Sequence, residues 1–214
     1  MEQKEKSRQT VDYIIHCGID EFAEKGKLIS LNGICRKYDI SKGKLYHHFS
    51  SKDELLCACV CYCLNALADS IENFEVDGSI SAFENFHNYY LDKICRWQKY
   101  PNQLIALRNA YTLRDSVFSA ESMDKIHSSQ LRWRKAKKVK ILELLQSNNN
   151  KMRINSENVS EVMLLMYENT FQVLEDKMLE SVKQKEYNAL KQYSEELMAY
   201  HDSIINMVLY GAFE

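Results

Sequence analysis

The chain has 214 residues with 45% apolar side chains, a length of about one to two domains with enough apolar content to bury a core. A single proline and six glycines leave little material for sheets, barrels or long loops. The net charge of −2 argues against nucleic acid when taken over the whole chain, so any such function has to rest on a local patch.

The chain shows no N-terminal apolar run with a basic flank and cleavage site. No uninterrupted apolar stretch approaches the roughly 20 residues of a membrane span. A soluble, cytoplasmic protein with no membrane partner is expected. Seven cysteines, an odd number grouped on helical segments, fit a reducing compartment rather than a disulfide scaffold.

In chain order, the informative stretch begins at Ser30. Leu31, Ile34 and Cys35 keep helical spacing to Tyr38, and Asp39 is a residue that tolerates the left-handed conformation of a tight turn. Ile40 anchors the turn and Ser41 is the expected N-cap of a second short helix. Lys42, Gly43 and Lys44 form its exposed tip, while Leu45 and Phe49, four apart, face inward. Tyr46, His47 and His48 point outward or sideways, where phosphates and base edges lie when such a helix enters a major groove. Residues 36–52 hold Arg36, Lys37, Lys42, Lys44 and Lys52 against Asp39 alone, a local excess of four positive charges. Residues 30–56 therefore read as a helix-turn-helix running into a long fourth helix.

These positions resemble the TetR family of transcriptional regulators. The likeness rests on Ile14 to Gly26, with Phe22 and Gly26 falling where that family's first helix has them. It continues through Ile40-Ser41, Leu45-Tyr46, His48-Phe49 and Lys52-Asp53-Glu54-Leu55-Leu56. It covers about the first 60 residues. Asp39 stands where the family usually has glycine. Gly33 lies inside the second helix, which weakens that helix slightly. Leu31 replaces a polar residue often found after Ser30, so no phosphate contact is carried to it.

The resemblance implies an all-α fold, with a three-helix helix-turn-helix DNA-binding domain over residues 1–52 and a helical effector-binding and dimerisation domain over residues 53–214. It implies a homodimer on double-stranded DNA with a pseudo-palindromic operator, and a small-molecule effector. The DNA-binding set is Lys42, Gly43, Lys44, Tyr46, His47, His48 and Lys52. Lys42, Lys44 and His47 are assigned to groove or base-edge contacts, Gly43 to close backbone approach, and Tyr46, His48 and Lys52 to phosphates.

Beyond residue 50 the chain reads as successive helices: a fourth from Ser51 to Phe74, and a fifth capped at Asp77-Gly78-Ser79 and running through Ala82, Phe86, Tyr89, Tyr90, Ile94 and Trp97. Another starts at Pro101, bends near Val117 and continues to Gln146. Ser156 caps a helix bearing Val159, Val162, Met163, Met166, Tyr167 and Val173, and a last helix spans Glu186 to Tyr210. Its stripe of Leu190, Tyr193, Leu197, Tyr200, Ile204, Met207 and Val208 fits either a dimer seam, as the resemblance implies, or an intramolecular core. Phe86, Tyr90, Trp97, Arg108, Tyr111, Trp133, Met163 and Tyr167 are candidates to line an effector pocket, with Met166 and Phe171 beside them. Core packing is the competing account of that same set.

Cys57, Cys59, Cys61 and Cys63 alternate along the fourth helix, which puts Cys57 with Cys61 on one side and Cys59 with Cys63 nearly opposite. One helix therefore cannot supply a four-thiolate metal site. Half of a redox or metal site would need a partner element. Arg132, Arg134, Lys135, Lys137, Lys138 and Lys140 place six charges in nine residues, read as a solvated face with Trp133, Ala136 and Val139 on the buried side.

Glu84 and His87 have the Glu-x-x-His spacing of a di-iron ligand pair, yet no second such pair occurs. With no phosphate loop and no nucleophile motif, neither catalysis nor a metal or other cofactor is expected. The alternatives are a helical regulator that senses oxidation or a metal through its cysteines and, more distantly, a helical-bundle metalloenzyme.

Overall fold

A computed structural model describes residues 2–147, 161, 165 and 187–210. Among the described residues there are eight α-helices and no strand. They are α1 Glu2–Lys25, α2 Leu31–Lys37, α3 Lys42–His48, α4 Lys52–Glu72, α5 Ala82–Lys99, α6 Pro101–Val117, α7 Ala120–Gln146 and α8 Tyr187–Tyr210. A short 3-10 turn, Gly26–Leu28, follows α1. The fold is all-α. The helix expected from Ser156 to Val173 lies outside the described residues apart from Glu161 and Leu165.

The chain packs as two compact units, Met1–Leu67 with Asn102–Trp133, and Ala68–Pro101 with Arg134–Glu214. In the first, Ile14, Phe22, Ile34, Leu45, Leu55, Leu56 and Cys59 are fully buried. Ala106, Ala110 and Ile126 complete the same cluster. A Cβ placed on Gly18 would sit 2.7 Å from Cys59 Sγ, so α1 and α4 approach closely only because residue 18 has no side chain. Gly26, at φ +53, ends α1 in the left-handed conformation common just past a helix. Asn109 then donates from Nδ2 to the Phe22 carbonyl at 2.7 Å, one of the last four carbonyls of α1, which the helix itself cannot pair. Asn102 donates to Asp20 Oδ1 at 2.8 Å.

By length and composition α4 could cross a membrane. Its Leu55, Leu56, Cys59, Val60, Cys63 and Leu64 are instead buried in this core.

In the second unit the fifth helix starts later than expected. Its N-cap is Ser81, whose Oγ accepts from Glu84 N–H at 3.1 Å, while Ser81 N–H and hydroxyl donate to Glu84 Oε2 at 2.9 and 2.7 Å. Ser81 has a glutamate three residues ahead and Ser79 does not, so only Ser81 forms the reciprocal box. The Asp77 carboxylate instead accepts from Ser79 N–H at 2.8 Å and from its hydroxyl, closing a local turn. Glu84 is thus engaged at the cap, and His87 Nδ1 lies 3.0 Å from Asp202 Oδ2, so the Glu84–His87 pair is not poised as metal ligands.

Helix α5 buries Phe86, Tyr89, Tyr90, Ile94 and Trp97, and α8 buries Leu197, Ile204 and Ile205. Gln98 Nε2 donates to Ser194 Oγ at 2.9 Å, and the Tyr90 and His201 rings lie 3.8 Å apart. Burial lowers the His201 pKa to about 4, against the opposing pull of Asp202, so this imidazole is neutral at physiological pH. Two assignments in the basic run are corrected: Val139 is 54% exposed, and Lys140 is buried. Lys140 donates to the Phe74 carbonyl at 2.6 Å and pairs with Glu143 at 2.7 Å, partners that make its burial tolerable.

Candidate nucleic-acid interface

The interface is built by two capped turns. Ser30 Oγ accepts from Gly33 N–H at 3.1 Å to start α2, and Asp39, at φ 51, ends the turn that follows it. Ile40 N–H returns to the Cys35 carbonyl at 3.0 Å and its side chain is buried, so the exit from α2 has a fixed direction. Ser41 Oγ then accepts from Lys44 N–H at 3.2 Å and begins α3. Aspartate takes the place of glycine there because its short polar side chain lowers the cost of the left-handed region.

Helix α3 is seven residues long and amphipathic in the simplest way. Leu45 and Phe49 are buried against the core, whereas Lys42, Gly43, Lys44, Tyr46 and His47 are exposed and His48 is half-buried. The His47 and His48 rings meet edge to face at 4.8 Å. Burial, then the neighbouring His47 and Lys44, hold the His48 imidazole below its ordinary range. A Cβ on Gly43 would meet nothing within 4 Å.

One member of the expected basic patch is committed elsewhere. Lys37 Nζ donates to Glu21 Oε1 and to Glu24 Oε2 at 2.5 and 2.6 Å. Lys25 holds the other Glu21 oxygen at 2.5 Å. Its carboxylates lie 16 and 13 residues back in the chain, so a count over residues 36–52 could not register their neutralising effect. Lys52 donates to the Lys27 carbonyl at 3.2 Å, which seats it beside the 3-10 turn at the edge of α3 and α4.

Glu21 is fully buried, and burial alone would raise its pKa. The hydrogen bonds from Lys25 and Lys37 outweigh that and hold it below the ordinary glutamate value. A depressed folded-state pKa contributes stability that is present above the unfolded value, near 4.3, and is lost as pH falls through the folded value. Glu21→Gln is therefore expected to lower the melting temperature at pH 7 and to do so much less at pH 3.5. Equal losses at the two pH values would mean that the charge of Glu21 is not what stabilises the joint between α1 and α2.

The start of α4 is tied down from two sides. Ser51 Oγ caps it by accepting from Glu54 N–H at 3.1 Å, and Ser50 donates N–H and hydroxyl to Glu54 Oε2, both at 2.7 Å. Asp53 reaches to the start of α7, where Ser119 N–H donates to Oδ1 at 3.2 Å. The Ser119 and Ser122 hydroxyls donate to Oδ2 at 2.6 and 2.8 Å. The network at Asp53 escaped sequence reading because its partners are 66 and 69 residues away.

The effector candidates separate. Phe86, Tyr90 and Trp97 share the buried face of α5 in the second unit. Arg108 and Trp133 are half-buried and Tyr111 is 68% exposed, all in the first unit. Met163, Met166, Tyr167 and Phe171 lie outside the described residues.

The seven cysteines form no disulfide. Burial, with the nearby Cys61 adding to it, pushes the Cys57 thiol up to about 11, and burial also raises Cys59 well above the ordinary thiol value. Both stay protonated at neutral pH, the unreactive form for oxidation or metal binding.

With this geometry in place, the family described as bacterial regulatory proteins, tetR family, matches residues 14–59, from the middle of α1 into α4. Over that stretch, which holds the helix-turn-helix, the chain is similar to the tetR family. The Transposon Tn10 TetC protein of Escherichia coli is 33% identical over 95 residues, 43% of this chain and 48% of TetC. The matched stretch thus spans about half the length of that relative. The transcriptional regulator FadR from Bacillus subtilis, solved in complex with stearoyl-CoA, superposes with a TM-score of 0.60 at 15% identity, covering 94% of this chain and 98% of FadR. Reduced NemR of E. coli gives 0.59 at 13% identity, covering 88% and 95%. At such identities these two structures establish the fold alone.

Proposed function

We propose that this chain is a regulator of the tetR type, a cytoplasmic, effector-responsive repressor that acts as a homodimer on a pseudo-palindromic operator. The observation that carries DNA recognition is α3: seven residues with Leu45 and the C-capping Phe49 buried and a basic and aromatic face left in solvent. DNA recognition is assigned to residues 1–52. Lys42, Lys44 and His47 read the groove, and Tyr46, His48 and Lys52 position the backbone. Dimerisation is supported by Tyr200, Met207 and Tyr210, which are exposed on α8 while Leu197 and Ile204 of the same stripe serve the intramolecular core. Two copies of so short a reading helix give a two-fold protein a two-fold site. Effector binding is assigned to the aromatic side chains of α5, Phe86, Tyr90 and Trp97, with an apolar or aromatic small molecule as ligand. FadR, with its bound stearoyl-CoA, offers a parallel in a protein of the same fold.

The test is a fluorescence-anisotropy titration against the DNA upstream of the protein's own coding region, with scrambled DNA as control, at two salt concentrations. Salt-sensitive binding that prefers the native sequence is expected. Equal, weak binding to both DNAs would sink the reading for that promoter. Gly43 gives a second, internal test. Its surroundings are open, so Gly43→Ala should leave the fold intact and add up to about 1 kcal/mol of helix stability. It should nevertheless weaken operator binding, because the added methyl lies where the DNA backbone approaches. Unchanged affinity in Gly43→Ala would remove that residue from the interface.

A further inference from the structure

The start of α4 carries a Lys-Asp-Glu sequence in which each side chain has a different task. Glu54 holds Ser50 and thereby the joint between α3 and α4. Lys52 is seated on the Lys27 carbonyl. Asp53 reaches elsewhere: its two oxygens accept three hydrogen bonds from the first turn of α7, namely Ser119 N–H, Ser119 Oγ and Ser122 Oγ. Ser119 also caps α7, its Oγ accepting from Ser122 N–H at 3.2 Å, so the partner of Asp53 is itself a fixed point of the backbone. Directly behind, Cys57 Sγ lies 3.6 Å from the Ser122 carbonyl, which extends the contact by one turn of α4.

Only Phe49, Ser50 and Ser51 separate α3 from α4. Ser50 is bonded to Glu54, so the C-terminal end of the reading helix and the first turn of α4 move as one piece. The orientation of that piece about the α4 axis sets where Lys52 points. Charge-assisted hydrogen bonds to a carboxylate are short and about twice as strong as neutral ones, which makes Asp53 a firm polar tie between this piece and the start of α7.

We infer that Asp53 is a positioning residue for DNA binding: by holding the first turn of α4 to the cap of α7 it fixes Lys52 in phosphate-contacting position beside α3. The inference rests on the DNA-binding reading above and adds to it a residue that touches no DNA.

The experiment compares native protein, Asp53→Ala, Lys52→Ala, the double variant, and Ser119→Ala/Ser122→Ala in anisotropy titrations over a salt series, with melting temperatures measured in parallel. Asp53→Ala is expected to weaken binding several-fold and to reduce the log–log salt slope by about 0.9, the share of one phosphate contact on duplex DNA. Lys52→Ala should do the same, and the double variant should lose no more than either alone. The serine double variant reproduces the loss with Asp53 intact, which keeps the question answerable if Asp53→Ala folds poorly. Additive losses from Asp53→Ala and Lys52→Ala would overturn the inference, as would a lower melting temperature with affinity and slope unchanged. Native affinity and slope in Lys52→Ala would remove the phosphate contact and the inference with it. Failure of the native protein to prefer its promoter sequence would instead strike at the DNA-binding reading as a whole.

Discussion

Alanine at Lys44 is expected to relax the base preference of the protein at one position in each half-site, costing about 1–3 kcal/mol of discrimination there. The backbone of Lys44 is pinned by the cap, since its N–H donates to Ser41 Oγ, while its side chain is exposed on the first turn of α3. A fixed Cα with a long cationic side chain at the leading turn of a reading helix is placed to reach a guanine edge. Because the side chain contributes nothing to the core, the variant should melt within about 0.5 kcal/mol of the native protein. Competition with single-base variants of the operator, at constant salt, measures the effect. If every sequence lost affinity by the same factor, Lys44 would belong with the phosphate contacts and the reading role would pass to Lys42 and His47.

The sequence announced those parts of the head whose causes are local. Ser41 as cap, Asp39 as the left-handed residue, and Leu45 with Phe49 as the buried pair each follow from a residue type within a few positions of its partner, and all are observed. The burial of α5 was legible for the same reason, since Phe86, Tyr90, Ile94 and Trp97 keep helical spacing. The boundary at Ser81 needed the rule that a capping serine is best followed three residues later by glutamate, and Asp77 was a competing signal of the turn just before it. Long-range pairing was not legible. Lys37 counts toward the local positive excess in the sequence, but the packing of α1 on α2 brings Glu21 and Glu24 beside it. Lys140 looked solvated in a basic run, and only the Phe74 carbonyl and Glu143 explain why it is buried. In each case the charge was plain in the sequence and its partner was set by tertiary packing.

Phe22→Ala is expected to be the most destabilising single change in the head, at about 3–5 kcal/mol, because it removes a fully buried ring and leaves a cavity that the surrounding helices fill only in part. Phe22 belongs to the buried cluster that residues of α2, α3 and α4 share, and its carbonyl is held by Asn109, so α1 cannot slide to close the gap without breaking that bond. Against a total stability of about 5–15 kcal/mol, such a loss leaves a measurable unfolded fraction at growth temperature. Operator affinity should fall by the factor set by that fraction, with the base preference and salt slope of the folded molecules unchanged. Saturating operator DNA should restore the melting temperature in part, since a ligand that binds only the folded state stabilises it by mass action. Lys44→Ala predicts the reverse on both counts, native stability with altered preference, so urea unfolding together with a DNA titration separates a packing role from a reading role. A loss below about 1 kcal/mol for Phe22→Ala would show that the core of α1, α2 and α4 repacks around the cavity, and the rigidity ascribed to the head would not hold.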